Sequence, residues 1–114
     1  MERREYAIKI TGPAKSGLKR LAKKLGKPLF LQLKAAIDDL KFDPELKTQE
    51  LGKPLSAFRS LHVGRSRVVV RISDVTVTVF VVAAGWHESG DRDDVYQQVI
   101  RAIESGSLDV DELQ

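Results

Sequence analysis

The strongest constraint on the fold lies between residues 58 and 84, where valine and other β-branched residues alternate with polar ones. This period of two predicts three strands, at Phe58–Val63, Ser66–Ile72 and Val75–Ala84, because side chains on a strand point alternately to opposite faces. The segments Gly64-Arg65 and Ser73-Asp74 separate them. Connections this short join antiparallel strands, so the segment predicts an antiparallel three-stranded meander.

Helical spacing of apolar residues replaces this alternation elsewhere in the chain. A strand, an antiparallel helical hairpin, a loop and a short C-terminal helix are predicted at Glu5–Ile10, Pro13–Leu40, Glu45–Pro54 and Val95–Ile103. The first strand completes a four-stranded sheet with the meander, and the helices pack on it, which gives an α+β fold. With 114 residues, we expect one domain over 1–106 and a mobile acidic tail over 107–114.

Composition excludes several classes of function. The chain has no cysteine, which excludes disulfides, thiolate chemistry and sulfur-ligated zinc. Its two histidines and scattered acids show no metal-ligand spacing, and there is no glycine-rich phosphate loop or nucleophile elbow. We therefore expect no metal and no cofactor. No apolar run reaches the length of a membrane span and the first residues are charged, so we expect a soluble cytoplasmic protein.

Charge is segregated along the chain, although the net charge is only +3. Residues 1–34 carry ten lysines and arginines against two glutamates, and residues 51–72 carry five against none. Two basic blocks favour a polyanionic partner, of which nucleic acid is the commonest. On the first predicted helix, the basic residues that would contact it are Lys19, Arg20, Lys23 and Lys24. An ordinary solvated helix face is an equally good interpretation of these four.

The second basic block places arginines on one face of the predicted sheet. Arg67 and Arg71 alternate with inward-facing valines, and His62 points to the same outer side from the preceding strand. Arginine forms bidentate contacts with phosphate, so this face could hold a phosphodiester backbone. The alternative is the ordinary solvated face that most antiparallel sheets have.

A second group of chemically active side chains follows the last predicted strand and consists of Trp86, His87, Arg92 and Tyr96. Histidine exchanges protons near neutral pH, tyrosine donates a proton or hydrogen bond, and tryptophan offers a stacking surface. Cleavage of RNA needs a base for the 2′-hydroxyl, charge stabilisation at the phosphate and an acid for the leaving oxygen. These residue types can supply all three without a metal. Each also has a plain structural interpretation, with Trp86 and Tyr96 as packing residues and Arg92 paired with a neighbouring aspartate.

The order of these features resembles the RelE/ParE superfamily of toxins from type II toxin–antitoxin systems, over about residues 5–104. The segments that carry the resemblance are Tyr6-Ala7-Ile8, Leu51-Gly52-Lys53-Pro54-Leu55, Phe58-Arg59, Val63-Gly64-Arg65-Ser66-Arg67-Val68-Val69-Val70, Gly85-Trp86-His87 and Asp94-Val95-Tyr96. The resemblance implies the superfamily's α+β fold. RelE-like members cut mRNA in the ribosomal A site without a metal, whereas ParE-like members inhibit DNA gyrase and need no nuclease residues. The fold therefore leaves the activity open.

Residue by residue, the resemblance implies catalytic roles for Arg67, which would stabilise the phosphate, and for Tyr96, which falls on the superfamily's terminal tyrosine. His87 stands where RelE-like enzymes have an arginine, and it would serve as acid or base. The residues that we expect to position RNA are Arg59, His62, Arg65, Arg71, Trp86 and Arg92.

The leading hypothesis is thus a ribosome-dependent mRNA endonuclease that inhibits translation. Its partners would be mRNA, the ribosome, whose RNA the basic residues of the first helix would bind, and a cognate antitoxin. An acidic amphipathic antitoxin segment would suit the lysine-rich surface, where it could dock on the sheet or on the helical hairpin. The alternative is a gyrase inhibitor, or a catalytically inactive toxin that acts only by binding its antitoxin.

Overall fold

The computed structural model describes residues 4–87, 94–109 and 113. Its elements are, in chain order, strand β1 (Ala7–Ile10), helices α1 (Gly12–Leu25) and α2 (Lys27–Asp38), a 3₁₀ turn (Asp39–Lys41), helix α3 (Pro44–Lys47), strands β2 (Gln49–Glu50), β3 (Arg59–Val63), β4 (Ser66–Ser73) and β5 (Thr78–Trp86), and helix α4 (Val95–Glu104). The α+β order predicted from the sequence is confirmed. No helix within the described residues is long and apolar enough to cross a membrane.

The strands form one mixed sheet in the order β1-β5-β4-β3-β2. The antiparallel pairing of β4 with both β3 and β5 confirms the meander. β1 pairs parallel with β5 over Thr78–Val81, so the remaining residues of β5, Val82–Trp86, have no strand partner on that side among the described residues. Helix α1 lies against this open half of the β5 edge, where Gly17 packs on the backbone of Ala84.

The two first helices are joined by a single residue with left-handed backbone geometry. Thr11 caps α1, because its hydroxyl accepts the N–H of Ala14 at 3.4 Å. Gly26, with φ of 79°, ends α1 and allows the chain to reverse at once into α2, because glycine has no Cβ to oppose a positive φ. The predicted helical hairpin is therefore confirmed, with its break at Gly26.

The segment predicted as a loop, Glu45–Pro54, contains two short elements. Its first residues belong to α3, which begins at Pro44, a favoured residue in a first helical turn. Gln49 and Glu50 then form β2, which pairs with β3 and adds a fifth, two-residue strand to the sheet edge. Elements this short depend on tertiary contacts, which the local sequence does not record.

The connection between β4 and β5 is longer than predicted. A turn over residues 74–77 replaces the expected Ser73-Asp74 break, and β5 begins at Thr78 rather than Val75. Val75 is 88% exposed, and Val77 has a positive φ of 50°, so neither continues the strand. The turn is held by side chains: the Ser73 hydroxyl accepts the N–H of Thr76 at 3.3 Å. Local bonds of this kind compete with strand pairing.

Each face of the sheet has its own core. Val68 and Val70 pack under α1 and α2, as the alternation predicts. Val69, on the other face, packs with Val95 and Val99 of α4. The second face is therefore not the open solvated surface that the sequence suggested, because α4 covers its centre. The predicted mobile tail from residue 107 stays a prediction, although Leu108 and Leu113 are buried in this second core.

Candidate functional site

A hydrogen-bonded group of side chains lies where β5 ends and α4 begins. The Nδ1 atom of His87 and the Oδ1 atom of Asp94 are 2.5 Å apart. The second carboxylate oxygen of Asp94 accepts the backbone N–H of Tyr96 at 3.0 Å, which caps α4. The rings of His87 and Tyr96 meet edge to face, with centroids 4.8 Å apart. A single buried carboxylate therefore positions both predicted proton-transfer residues.

The phenol of Tyr96 is fixed from the sheet side as well. Its hydroxyl lies 2.8 Å from the hydroxyl of Ser60 on β3, and Ser60 is fully buried. Tyr96 is half-buried, with its hydroxyl at the margin of the second core. The ring is therefore held at both ends, by the Asp94 cap at its backbone and by Ser60 at its hydroxyl.

His62 and Arg67 come together with this group, because they face each other across the β3–β4 pair. Arg67 is also the register partner of Gly85, close to the end of β5. Partial removal of water from the imidazole lowers the pKa of His62, and the nearby positive charges of Arg67 and His87 lower it further. The structure thus gathers His62, Arg67, His87 and Tyr96 at one end of the sheet, as the functional hypothesis requires.

The two arginines of β4 have separate surroundings, although the sequence predicted that together they could hold a phosphodiester backbone. Arg67 Nη1 donates to the backbone oxygens of Gly64 at 2.8 Å and Ser66 at 3.0 Å. Arg71 instead donates to the oxygens of Ala57 at 2.9 Å and Leu113 at 3.3 Å. Neither arginine pairs with a carboxylate among the described residues. Strand alternation placed them correctly on one face, but the covered centre of that face separates them.

Arg59, predicted to position RNA, is bound to the chain itself. Its Nε donates to the Thr48 hydroxyl at 2.8 Å, and its Nη2 donates to the backbone oxygens of Thr48 at 3.0 Å and Glu45 at 3.1 Å. Its Nη1 lies 3.4 Å from the Glu50 carboxylate. Four contacts on a side chain that is 22% exposed give Arg59 a structural role, since they join α3 and β2 to β3.

Trp86 lies on the α1 side of the sheet and is in contact with two cations. Lys24 Nζ is 4.0 Å from the ring centroid and the Arg65 guanidinium carbon is 4.6 Å from it, within the range of cation–π attraction. Its indole Nε1 is buried and has no hydrogen-bond partner in the described part of the chain. Trp86 and His87 are thus neighbours in sequence that contact different groups.

The remaining predicted residues lie on exposed surfaces or outside the part of the chain that the structure describes. The basic residues Lys19, Arg20, Lys23 and Lys24 are all exposed on α1. Arg20 and Lys24 line a cleft with Trp86, whereas Lys19 and Lys23 do not. Arg92 lies outside the residues that the structure describes. Across the described ranges, no group of three or more histidine, aspartate or glutamate side chains could hold a metal ion.

Sequence reasoning missed two members of the site, Asp94 and Ser60. Asp94 lies in an acidic stretch and was given no role in the site, yet its carboxylate is 5% exposed and bonded to His87. Its position directly before the apolar spacing of α4 is a helix-cap signal that could have separated it from the run. Ser60 gave no such signal, because its role depends on a pairing over 36 residues.

Comparison with known proteins places the chain among toxins. A family model described as the ParE toxin of the type II toxin–antitoxin system parDE matches residues 8–89. A search of curated proteins finds no match.

Solved structures share the fold. A chain of the RelBE2 toxin–antitoxin complex from Mycobacterium tuberculosis is 23% identical, with a TM-score of 0.63 over 73% of this chain and 99% of the other. Mutant Escherichia coli RelE in the free state is also 23% identical, with a TM-score of 0.61 over 87% and 98%. The YoeB/ParE toxin from Agrobacterium tumefaciens is 15% identical, with a TM-score of 0.60 over 72% and 99%. At such identities the likeness concerns the fold.

Proposed function

This chain belongs to the RelE/ParE superfamily of toxins from type II toxin–antitoxin systems, and we propose that it acts as a ribosome-dependent mRNA endonuclease. The observation that carries the proposal is the convergence of His62, Arg67, His87 and Tyr96 at one end of the sheet, with His87 held by Asp94. Nothing in a scaffold role explains why two histidines, an arginine and a tyrosine from different elements meet at one place.

The contact with Asp94 leaves the other ring nitrogen of His87, Nε2, for proton exchange. When Nδ1 carries the proton and donates it to the carboxylate, Nε2 has a free lone pair and can act as a base. The proposed reaction begins when Nε2 removes the proton of an RNA 2′-hydroxyl. The 2′-oxygen then forms a bond to the adjacent phosphorus.

The second half of the reaction breaks the bond from phosphorus to the 5′-oxygen of the next nucleotide. Tyr96 donates the proton that this leaving oxygen needs, which yields a 2′,3′-cyclic phosphate and a free 5′-hydroxyl. Arg67 stabilises the negative charge that develops on the phosphate oxygens. Its Nη1 is bonded to the backbone, but Nη2 has no partner among the described residues and can donate to the phosphate. His62 contacts the RNA as a neutral ring near pH 7, since its pKa is lowered.

The proposal also includes an antitoxin, for which the open edge of β1 is the docking surface. β1 is the terminal strand of the sheet, and beside it a groove of about 560 Å³ is lined by apolar side chains that include Ile8, Leu18 and Phe30. An extended antitoxin segment could pair with β1 and place alternate side chains in the groove. Toxin–antitoxin complexes among the similar structures support a partner of this kind.

The antitoxin part is tested by replacing Ile10, which lies on β1 and is 37% exposed. Co-expression with a cognate antitoxin, to be sought among small reading frames next to this one, should relieve growth arrest by the native chain. We expect Ile10→Lys to remain toxic and to escape this relief, with Lys9→Ala on the same strand as the control. Equal relief of both variants would rule out β1 as the docking surface.

The nuclease is tested by inducing the native chain, Arg67→Ala and, as the matched control, Arg4→Ala, which removes an exposed arginine outside the site. Transcript 5′ ends should multiply within coding regions for the native chain and the control. They should disappear for Arg67→Ala, with growth restored and an unchanged circular dichroism spectrum. Growth arrest by the native chain without new transcript ends would overturn the proposal.

A second candidate is an interaction module that inhibits DNA gyrase, or an inactive toxin. It is favoured by the separation of Arg67 from Arg71 and by the engagement of Arg59 with the backbone, which reduce the cationic surface available to RNA. If the chain is a gyrase inhibitor, its induction would cause DNA breaks, and the Arg67→Ala variant would still arrest growth. An inactive toxin would arrest growth in neither form.

A further inference from the structure

A cleft with a volume of about 570 Å³ opens between α1 and α4. Its lining includes Trp86, which precedes His87 in the chain, and Asp94, which is bonded to His87. It lies along the half of the β5 edge that β1 leaves uncovered, with Ala84 and Gly85 at its base. Its size is within the range of small-ligand pockets. The residues with proposed catalytic roles, His62, Arg67, His87 and Tyr96, do not line this cleft.

Three cations from two helices line the cleft: Arg20 and Lys24 of α1 and Arg101 of α4. Within the described ranges, no salt bridge joins any of them to a carboxylate. The cleft also contains Asp94, but that carboxylate is 5% exposed and is bonded to His87 and to the N-terminus of α4. The net electrostatic character of the cleft is therefore positive, and its cations are available to an anion.

Part of the Trp86 ring is exposed at the wall of the cleft, beside the two cations that contact it, Lys24 and Arg65. Trp86 lines it, and the indole Nε1 is buried without a hydrogen-bond partner among the described residues. A buried donor that lacks a partner is unfavourable, and such groups are often satisfied by a ligand or water. Guanidinium groups with a tryptophan are the combination that binds a phosphate and its base together.

We propose that this cleft binds a nucleotide of the RNA strand next to the one at His87, with its phosphate held by Arg20 and Arg101 and its base against Trp86. The inference rests on the proposed nuclease function for the identity of the strand. Continuity supports it, because Trp86 and His87 are consecutive and Asp94 contributes to both places.

This arrangement divides the basic residues of α1 into two sets. Arg20 and Lys24 face the cleft, whereas Lys19 and Lys23 are equally exposed but do not line it. The two sets carry the same charge on the same helix. A general attraction of RNA to a basic helix would depend on both sets alike, while a built pocket depends on the first.

The experiment uses Trp86 as its reporter, since it is the only tryptophan in the chain. Tryptophan emission is titrated with a 2′-O-methyl RNA tetranucleotide, which has no free 2′-hydroxyl and cannot be cleaved, and separately with uridine 3′-monophosphate and inorganic phosphate. The tetranucleotide should change the emission saturably and bind at least about tenfold more tightly than the mononucleotide, because it also occupies the His87 site. Equal affinity for the mononucleotide would overturn the strand proposal in favour of a free-nucleotide pocket.

The matched variants are Arg20→Gln with Arg101→Gln, and Lys19→Gln with Lys23→Gln. The first pair should weaken tetranucleotide binding by about tenfold or more, since two charge-assisted contacts are lost. The double variant of Lys19 and Lys23 should weaken tetranucleotide binding by less than about threefold, because it loses only non-specific attraction between the helix and RNA phosphates. If both double variants weaken binding equally, or if the emission of the native protein shows no saturable change, the proposal that RNA binds in the cleft is wrong. Circular dichroism spectra that match the native one confirm that the variants are folded.

The outcome is independent of cleavage. If the tetranucleotide binds as described but induction produces no new transcript ends, the cleft stands as an RNA site and the nuclease proposal fails. If transcripts are cut but the Trp86 emission does not change with the tetranucleotide, the nuclease proposal is supported and the proposal of RNA binding in the cleft is wrong.

Discussion

The Asp94 carboxylate accepts from His87 Nδ1 at 2.5 Å with one oxygen and from the Tyr96 backbone N–H at 3.0 Å with the other. One buried side chain thus sets the ring of His87 and the first turn of α4 at the same time. Most substitutions of Asp94 would therefore disturb both the orientation of His87 and the cap of α4. The two roles are separated by a substitution that keeps the cap and removes the negative charge. Asparagine does so, because it caps helices about as well as aspartate.

We expect Asp94→Asn to retain the fold and to reduce RNA cleavage by about 10²-fold or more, the usual share of a positioned acid–base group. The physical reason is loss of the negative charge that keeps the Nδ1–H form of His87 and stabilises the ring when it is protonated. Nitrogen-15 NMR of the imidazole measures the proton distribution directly and does not depend on activity. Asp94→Ser, which keeps a capping hydroxyl but is too short to reach the ring, should give the same tautomer change. Unchanged nitrogen shifts in both variants would show that Asp94 only caps the helix.

The pKa of His62 should rise in Arg67→Gln, because the substitution removes one of the two charges that lower it. Loss of water around the ring is the larger cause, so the pKa should stay below the usual value of about 6.5. Arg71→Gln should leave it unchanged, since Arg71 is bonded elsewhere. Proton NMR titration of the His62 ring measures this, with the His87 signal assigned through His87→Gln. A change in the pKa of His62 in Arg71→Gln would show that the charge of Arg71 also acts on this ring.

A consequence for stability follows from the same lowered pKa. The unfolded chain takes up a proton at His62 near pH 6.5, whereas the folded chain does so only at a lower pH. The His62 contribution is therefore absent above pH 6.5 and becomes destabilising as the pH falls from there to the folded pKa. His62→Gln should remove this part of the acid destabilisation, which urea unfolding at several pH values would detect. An identical pH profile in the variant would contradict the lowered pKa.

The contact between Ser60 and Tyr96 should be asymmetric when it is broken. Tyr96→Phe leaves the fully buried Ser60 hydroxyl without its partner, which destabilises the protein by about 1–3 kcal/mol. Ser60→Ala leaves the hydroxyl of a half-buried tyrosine, which water can reach, and should destabilise it by about 1 kcal/mol. The double variant should be less destabilised than the sum of the two. Additive free energies of urea unfolding would show that the hydroxyls, 2.8 Å apart, contribute independently.

The elements with a repeated local pattern were the ones predictable from sequence. The alternating valines of β4 placed Val68 and Val70 on one face and Arg67 and Arg71 on the other, and this is what the structure has. Pattern alone could not show that α4 covers the centre of the second face, since that depends on how a distant helix docks. The same limit explains why the β4–β5 turn was predicted too short, because its bonds come from side chains such as Ser73.

The candidate site was predictable in its residue types and less so in its partners. His87 and Tyr96 were found because they bear chemistry and stand near a strand end. Asp94 was missed because charge alone was considered, and a carboxylate in an acidic run has no feature of its own until its burial is known. Arginine contacts with backbone oxygens, as for Arg59 and Arg71, leave no trace in the sequence, because every residue offers the same acceptor.

Gly17 should be the position where one added methyl group does most damage to the arrangement of α1. A Cβ built there would lie 2.2 Å from the backbone oxygen of Ala84, which cannot move without disturbing β5. Alanine favours a helix over glycine by about 1 kcal/mol, but overpacking against a fixed backbone destabilises by about 1–3 kcal/mol. We therefore expect Gly17→Ala to lower the free energy of unfolding by up to about 2 kcal/mol.

Gly12→Ala is the matched control, because a Cβ there would meet nothing within 4 Å and should leave stability unchanged or slightly raised. Relief of the clash at Gly17 requires α1 to move away from the β5 edge, and this movement carries Arg20 and Lys24 with it. RNA affinity measured through Trp86 should therefore fall in Gly17→Ala and hold in Gly12→Ala. A folded Gly17→Ala protein with native stability and native RNA affinity would show that the close approach of α1 to β5 does not set the geometry of the cleft.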